Sequence, residues 1–403
     1  MTYTISPSRA KGQVKVPSSK SIAHRLLLLS AFSEGVSHLC GVSMCEDVQA
    51  TLSSLSALGV RYEMEGDRLT VWGKDIRECT PNAPLFVGAS ASTLRFLLPL
   101  MLLVKKEVTF RGDCTLFRRP LTVCKELFDL YDCAFEIGEN SLRTDTSALV
   151  EMPDTFEVDA TVSSQFITGL LLYLALAGGG RIALCGEVQS RPYIHLTIEA
   201  LKHFSVRAYF EDEHTLIVPK GQKLIPTTLE VEGDYSGSAF LDALNLLGGE
   251  VTPDGLNPDS VQGDRRYRDY FPMLDEGAPV IDIADTPDLA PILMALASHF
   301  HGATLLSCKR LKTKESDRGY AMAKELFKFG ADIEVSEDTI VIKKAMLHAP
   351  CEVLDGHGDH RIVMALSVLL TVYGGTISDV EAVNKSFPHF FDTLEKLGVM
   401  VHR

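Results

Sequence analysis

The strongest constraint on this chain is an internal repeat. Short segments rich in hydroxyl and carboxylate side chains precede an apolar helical stretch six times: PSSKS (17–21), GASAS (88–92), VSSQ (162–165), GDYS (233–236), TPD (286–288) and GDHR (358–361). Marked at Ser21, Ser92, Ser164, Ser236, Asp288 and Asp359, the spacings are 71, 72, 72, 52 and 71 residues. Such a period signals supersecondary units that bury their apolar faces only against one another. A second pattern lies between the marks: a helix tail, a small or polar break, then two short strands of alternating polarity around an acidic turn. It occupies 55–73, 127–145, 201–221 and 325–344, and a truncated copy, LEKLGVMVHR (394–403), ends the chain. Period-two alternation reads as a half-buried hairpin. The predicted fold class is therefore α/β, an α+β repeat of six βαβαββ-type units.

The 52-residue interval leaves one unit short. The unit near 250–285 is expected to lack most of its terminal strand pair. The N-terminal strands, 2–5 and 13–16, have no helix before them, and the last unit ends on a single strand. The N-terminal strand is thus expected to complete the last unit. One lobe would hold residues 1–16 and 229–403, the other 17–228, with crossovers near Pro17 and Thr227–Glu230 and the active site in the cleft between lobes.

Composition narrows the function classes. Apolar residues make up 46% and charged residues 23%, as in soluble globular chains. The longest nearly uncharged apolar stretch, 166–177, is too short for the roughly 20 residues a bilayer span needs. The N-terminus has no basic segment followed by an apolar run, so a cytoplasmic protein is expected. Nine cysteines, an odd number without a Cys-x-x-Cys pair, argue against a disulfide scaffold or a zinc site. A net charge of −14 leaves no basic footprint for nucleic acid. Yet Lys20, Arg25, Arg95, Arg119, Lys314, Arg318, Arg361 and Lys385 recur near helix starts, the pattern of a local anion site in an acidic protein. The six marks carry the oxygens that cap helix N-termini. Helix N-termini gathered together would offer free N–H groups and partial positive charge to phosphate or carboxylate.

The motifs VPSSKSIAHRLLLLSAF (16–32), RRPL (118–121), VSSQFITGLLL (162–172), SRPY (190–193), PDLAP (287–291), KTKESDR (312–318), GDHRIVMALS (358–367) and NKSFPHFF (384–391) occur in this order. Together they make the chain resemble the 5-enolpyruvylshikimate-3-phosphate synthases, the 3-phosphoshikimate 1-carboxyvinyltransferases, from about residue 3 to the C-terminus. The resemblance implies an inverse α/β barrel-like fold. It also implies transfer of the enolpyruvyl group of phosphoenolpyruvate to the 5-hydroxyl of shikimate 3-phosphate with release of phosphate, on the route to chorismate and the aromatic amino acids. No metal or organic cofactor, nucleic acid or membrane is implied, and a monomer is expected.

By match to the family's motifs, Arg119, Arg318 and Arg361 resemble the phosphoenolpyruvate clamp, with Lys20 and Lys385 as partners and Ala91 and Ser92 alongside. Arg suits planar, bidentate recognition of carboxylate and phosphate. Ser163, Ser164 and Ser190 resemble the hydroxyls that hold the phosphate of shikimate 3-phosphate. Ser21, Arg25, Gln165, Tyr193, Lys314 and Asp288 resemble its other ligands. Lys20, Asp288 and Glu315 are the catalytic candidates, because a proton must leave the 5-hydroxyl and a methylene carbon must gain and then lose one.

One motif departs from the family. Where it has Gly-Asn-(Ser/Ala)-Gly-Thr, this chain has Ala89, Ala91 and Ser92 after Gly88. Alanine at the Ala91 place is associated in the family with weaker binding of glyphosate, which is longer than phosphoenolpyruvate, so the resemblance implies comparative insensitivity. Two other readings remain. An enolpyruvyl transferase acting on UDP-N-acetylglucosamine shares the repeat architecture and usually has a reactive loop cysteine; the cysteine near that loop is Cys114. A non-catalytic phosphate-metabolite binding protein is suggested by the altered 88–93 loop. Ser163, Ser164, Gln165 and Asp288 favour shikimate 3-phosphate over the first. Retention of both acid–base candidates argues against the second.

Overall fold

The computed structural model describes residues 1–151 and 153–403. The chain divides into two compact units, Lys20–Glu232 and Met1–Ser19 with Gly233–Arg403. Each has its own apolar core.

The Lys20–Glu232 unit contains three four-stranded sheets of one design. In the second repeat, Leu85–Gly88 pairs parallel with Glu107–Gly112, which pairs antiparallel with Ser141–Asp145, and Ala134–Ile137 closes the edge. The third repeat has Thr155–Asp159, Gly180–Cys185, Thr215–Val218 and Tyr209–Asp212 in the same order. A parallel pair needs a crossover, here the helices Ala91–Val104 and Ser164–Ala177. Both helices are buried along nearly their whole length, which matches their almost unbroken apolar sequence. They approach closely at Gly169, where a Cβ would meet the Arg95 carbonyl oxygen at 2.6 Å and the Pro99 ring at 2.9 Å. In the first repeat, Gly35–Cys40 and the hairpin Arg61–Glu65/Arg68–Gly73 are joined by a strand from the far end of the unit, Thr228–Glu230.

That last pairing corrects the position of the division. Thr228–Glu230 belongs with Gly35–Cys40, so the boundaries fall at Ser19/Lys20 and Glu232/Gly233, a few residues beyond those read from the repeat.

The other unit carries one full sheet, Val280–Asp282, Ala303–Leu306, Thr339–Lys343 and Asp332–Val335, in the same order. The short repeat is the two-stranded sheet Lys11–Lys15/Glu250–Asp254. After its helix Tyr267–Glu276 the chain runs directly into Val280–Asp282, with no hairpin between them among the described residues. In the last repeat, Thr2–Ser6 lies between Gly375–Ser378 and Met400–His402 and completes the sheet. The two N-terminal strands therefore serve different sheets. Three helices, Tyr235–Leu246, Ala290–His299 and His360–Tyr373, are buried in this core.

No helix among the described residues is long and apolar enough to cross a membrane. All nine cysteines are free. Burial pushes the thiols of Cys45 and Cys79 up to about 11 and those of Cys124 and Cys308 to about 12, so these four behave as small apolar side chains.

Candidate active site

Four of the six marked helix starts carry a side-chain cap, mostly not from the marks themselves, and Leu289 before the helix Ala290–His299 supplies none. Ser90 accepts from Thr93 N, Ser163 from Gln165 N, Asp234 from Gly237 N, and Asp359 from Arg361 N. Ser21, Ser92, Ser164 and Ser236 lie one or two residues inside their helices, and Asp288 sits in the 3₁₀ turn Pro287–Leu289. Asp359 alone of the six marks is itself a side-chain cap. The offset leaves the marked hydroxyls near the first-turn N–H groups rather than consumed by them.

In the unit containing both termini, one ion network joins six of the sequence-predicted residues. Arg318, 1% exposed, is its centre. It donates from Nη1 to Asp288 Oδ1 at 2.7 Å, from Nη2 to Glu315 Oε2 at 2.6 Å, and from Nε to Asp359 Oδ2 at 2.8 Å. Asp288 also accepts from Lys314 Nζ at 3.0 Å and from Arg361 Nη2 at 3.0 Å. Lys385 Nζ stands 3.3 Å from Glu315 Oε1. Arg361 Nη1 donates to the Ser236 hydroxyl and to the Asp288 carbonyl oxygen.

These charges persist in a buried place because each has opposite partners. Burial opposes ionisation of Asp288, but Arg361, Lys314 and Arg318 more than reverse it and hold the carboxyl well below its usual range. Burial likewise works against the Arg318 cation, yet the three carboxylates raise it above its ordinary value. Lys314 is lowered by burial, with Asp288 resisting. The arrangement is a set of cations held in place by carboxylates.

In the Lys20–Glu232 unit the predicted residues form smaller groups. Lys20, the first residue of helix Lys20–Ala31, pairs with Asp47 at 2.9 Å. Behind it runs a buried chain of neutral groups: His24 Nδ1 to Thr51 at 2.7 Å, Thr51 to Thr93 at 2.7 Å, and Thr93 to Ser90 at 2.8 Å. Burial lowers His24 to about 3, so this imidazole is neutral. Gln165 is gripped from two sides: Arg95 Nη1 donates to its Oε1 at 2.7 Å, and its Nε2 donates to Ser92 at 3.0 Å. Ser163 and Ser164 open the helix Ser164–Ala177, whose first-turn N–H groups suit a phosphate. Ala91 is the first residue of helix Ala91–Val104.

Arg25 is 2% exposed and donates to Thr197 at 2.9 Å, Thr168 at 3.1 Å, Tyr193 O at 2.9 Å and Ser21 O at 2.5 Å. Burial lowers this guanidinium, since its partners are neutral. A guanidinium has five N–H groups, so one on Nη1 remains after these bonds. Ser190 is buried with φ +54°, a left-handed conformation that costs a non-glycine residue energy and recurs at functional sites. Its carbonyl accepts from Tyr193 N at 3.1 Å. Arg119 follows the short helix Cys114–Phe117 and is half-buried.

Sequence reasoning missed the anions that hold the cations. Asp47 and Asp264 carried no signal by type or spacing. Asp359 was visible as a repeat mark but not as a ligand of Arg318. Arg95 was visible as a cation, not as the group that fixes Gln165.

Comparison with known proteins places these groups in context. The sequence profile of EPSP synthase (3-phosphoshikimate 1-carboxyvinyltransferase) matches residues 5–274 and 271–394. The 3-phosphoshikimate 1-carboxyvinyltransferase of Clostridium novyi (strain NT) is 35% identical over 427 aligned positions, covering 98% of this chain and 97% of that protein. The enzyme of that name from Clostridioides difficile (strain 630) is 34% identical with the same coverage. Among solved structures, an EPSP synthase from Acinetobacter baumannii aligns over 100% of both chains with a TM-score of 0.78 at 21% identity. The enolpyruvyl transferase NikO from Streptomyces tendae aligns over 100% of this chain and 98% of its own with a TM-score of 0.74 at 13% identity. At these identities the structural matches show the fold alone.

Proposed function

The chain belongs to the EPSP synthase family, and we propose that the two residue sets above carry out the reaction of that family. The activity is enolpyruvyl transfer from phosphoenolpyruvate to the 5-hydroxyl of shikimate 3-phosphate, a step of the shikimate pathway. The observation that carries the reading is the single ion network joining Asp288, Lys314, Glu315, Arg318, Arg361 and Lys385. Both substrates are multiply anionic, and fixed cations are what they require.

By match to the family's motifs, Arg318, Arg361 and Lys385, and Lys20, Arg119, Ala91 and Ser92, are the residues assigned to phosphoenolpyruvate. Shikimate 3-phosphate takes Ser163, Ser164 and Ser190 at its phosphate, and Ser21, Arg25, Gln165, Tyr193, Lys314 and Asp288 elsewhere. Substrate C3 gains a proton, the 5-oxygen bonds to C2, and a tetrahedral intermediate forms. C3 then loses a proton as the C2–O bond to phosphate breaks.

The free protein's electrostatics bear on the first of these steps. Asp288 is a weak base while Arg361, Lys314 and Arg318 all face it. Anions that draw those cations away raise its proton affinity, so substrate binding itself prepares Asp288 to accept the 5-hydroxyl proton. Glu315, held between Arg318 and Lys385, and Lys20 are the groups assigned to C3. The two sets serve one reaction, so Lys20→Ala and Arg318→Lys should each abolish turnover.

The test is product identity. Incubation with both substrates should give inorganic phosphate and an enolpyruvyl shikimate 3-phosphate mass in equal amounts. Product from UDP-N-acetylglucosamine instead would overturn the reading. A cytoplasmic monomer belongs to the same proposal; light scattering at 44.2 kDa, the mass of one chain, checks the oligomeric part.

A further inference from the structure

A carboxyl group outside the assigned sets lies behind Arg361. Asp264 sits in the 3₁₀ turn Gly263–Arg266 of the short repeat and is 5% exposed. Its Oδ1 has no hydrogen-bond partner among the described residues. The turn is stitched to the start of helix Tyr235–Leu246 by Gln262, whose Nε2 donates to Gly233 O at 2.8 Å and whose Oε1 accepts from Tyr235 N at 3.1 Å. The turn that carries Asp264 is thereby fixed at the start of the helix that carries Ser236.

The direction of the bonds follows from the donor inventory. Arg361 can only donate, so Ser236 Oγ accepts from it. The single Ser236 O–H is then left for another acceptor, and Asp264 is the neighbouring carboxyl that interacts with Ser236. Arg361 is thus bonded directly to Asp288 and to Ser236, which in turn interacts with Asp264.

We propose that Asp264 is a positioning residue that, through the Ser236 hydroxyl, sets how the Arg361 guanidinium is presented to an anionic substrate. The proposal rests on the assignment of Arg361 to phosphoenolpyruvate. The charged groups facing Asp264 are Asp288 from the Pro287–Leu289 turn, Asp234 from the start of helix Tyr235–Leu246, and Arg361 from helix His360–Tyr373. On helix Tyr267–Glu276 behind it, Tyr267 is engaged with Asp242 and Ser238. Burial and then Asp288 push the Asp264 carboxyl up to about 7, with Arg361 opposing. Near neutral pH it therefore carries a partial charge. An ionised Asp264 polarises Ser236 and strengthens its hold on Arg361, so that the guanidinium is less available to an incoming anion. A protonated one releases that constraint. Binding of the substrate should draw a proton onto Asp264.

The experiment is the pH dependence, between pH 6 and 8.5, of KM for phosphoenolpyruvate and of kcat in the parent, Asp264→Asn and Asp264→Leu proteins. Comparing parent with variant cancels the titration of the substrate's own phosphate. At pH 6 the parent and Asp264→Asn should match, because the neutral acid and the amide both accept from Ser236. At pH 8.5 the parent KM should exceed that of Asp264→Asn by about fivefold or more, the low end of ordinary coupling between two binding events. The midpoint of that change should lie near 7, with kcat little altered. Asp264→Leu should raise KM at every pH, since it leaves the Ser236 hydroxyl without its acceptor. Ser236→Ala supplies a second route: in that background Asp264→Asn should lose most of its effect. A KM ratio that stays flat with pH, or Asp264→Leu behaving like Asp264→Asn, would overturn the proposal. A parent protein that releases no phosphate with both substrates present would instead defeat the functional reading on which it rests.

Discussion

Replacing Asp359 tests whether the buried ion network stabilises the unit that contains it. The side chain is 0% exposed and does two jobs. It caps helix His360–Tyr373 through Arg361 N at 3.0 Å, and it accepts from Arg318 Nε at 2.8 Å, Arg318 Nη2 at 3.3 Å and Ser316 Oγ at 3.2 Å. Loss of a cap costs about 1 kcal/mol. Removing one partner from a buried ion pair costs about 3–5 kcal/mol, and Asp288 and Glu315 still hold Arg318, so the lower end applies. Asp359→Ala should therefore lose roughly 4 kcal/mol in total. Asp359→Asn keeps the cap and loses the charge, so it should lose about 2–3 kcal/mol, the worth of a charge-assisted bond. For a domain of this size 1 kcal/mol moves Tm by about 2–4 °C, which puts the alanine variant on the order of 10 °C below the parent and the asparagine variant between them. Thermal unfolding followed by circular dichroism reads all three. If Asp359→Ala melts within about 2 °C of the parent, the network does not stabilise the unit in the way argued. If asparagine costs as much as alanine, the cap contributes nothing.

Other outcomes follow from the same physics. Asp264 has a folded-state value near 7 against 3.8 for the free side chain. The fold then holds a proton that unfolding releases, so this contribution is fully present below about pH 4 and is lost as pH rises to about 7. Asp264→Asn should match the parent in stability near pH 4 and exceed it at pH 8, by up to about 4 kcal/mol at 1.36 kcal/mol per unit. Equal urea midpoints at pH 8 would contradict the raised value. Gly169→Ala should destabilise the Lys20–Glu232 unit by about 1–3 kcal/mol, because its methyl group meets the Arg95 carbonyl at 2.6 Å; an unchanged Tm would show that the helices separate freely. Ala91→Gly should make phosphate release more sensitive to glyphosate, and unchanged inhibition would remove Ala91 as the cause of any insensitivity.

The architecture was readable in the sequence where the signal was local. Period-two alternation marked the four hairpins found among the described residues, and the 52-residue interval marked the sheet that ends at two strands. Long-range pairing was not readable. Nothing in residues 228–230 says that they will lie against 38–40, because a parallel pair carries no turn between its strands. The capping residues were displaced by one or two positions, since Ser, Asp and Thr cluster at these starts and composition alone does not choose among them. The cations of the site stood out as Lys and Arg in ordered motifs. Their counter-charges did not: Asp47 reaches Lys20 from another helix, and Asp264 lies buried in a turn of the shortened repeat.

The central claim is that this chain transfers an enolpyruvyl group between two anionic substrates. Its most direct test is phosphate release from phosphoenolpyruvate, measured with and without shikimate 3-phosphate, in the parent and in Lys20→Ala. Release that requires shikimate 3-phosphate and is lost in the variant is the predicted result. No release from the parent while shikimate 3-phosphate still binds would contradict it, and would make Ala89 and Ala91 the first positions to revert.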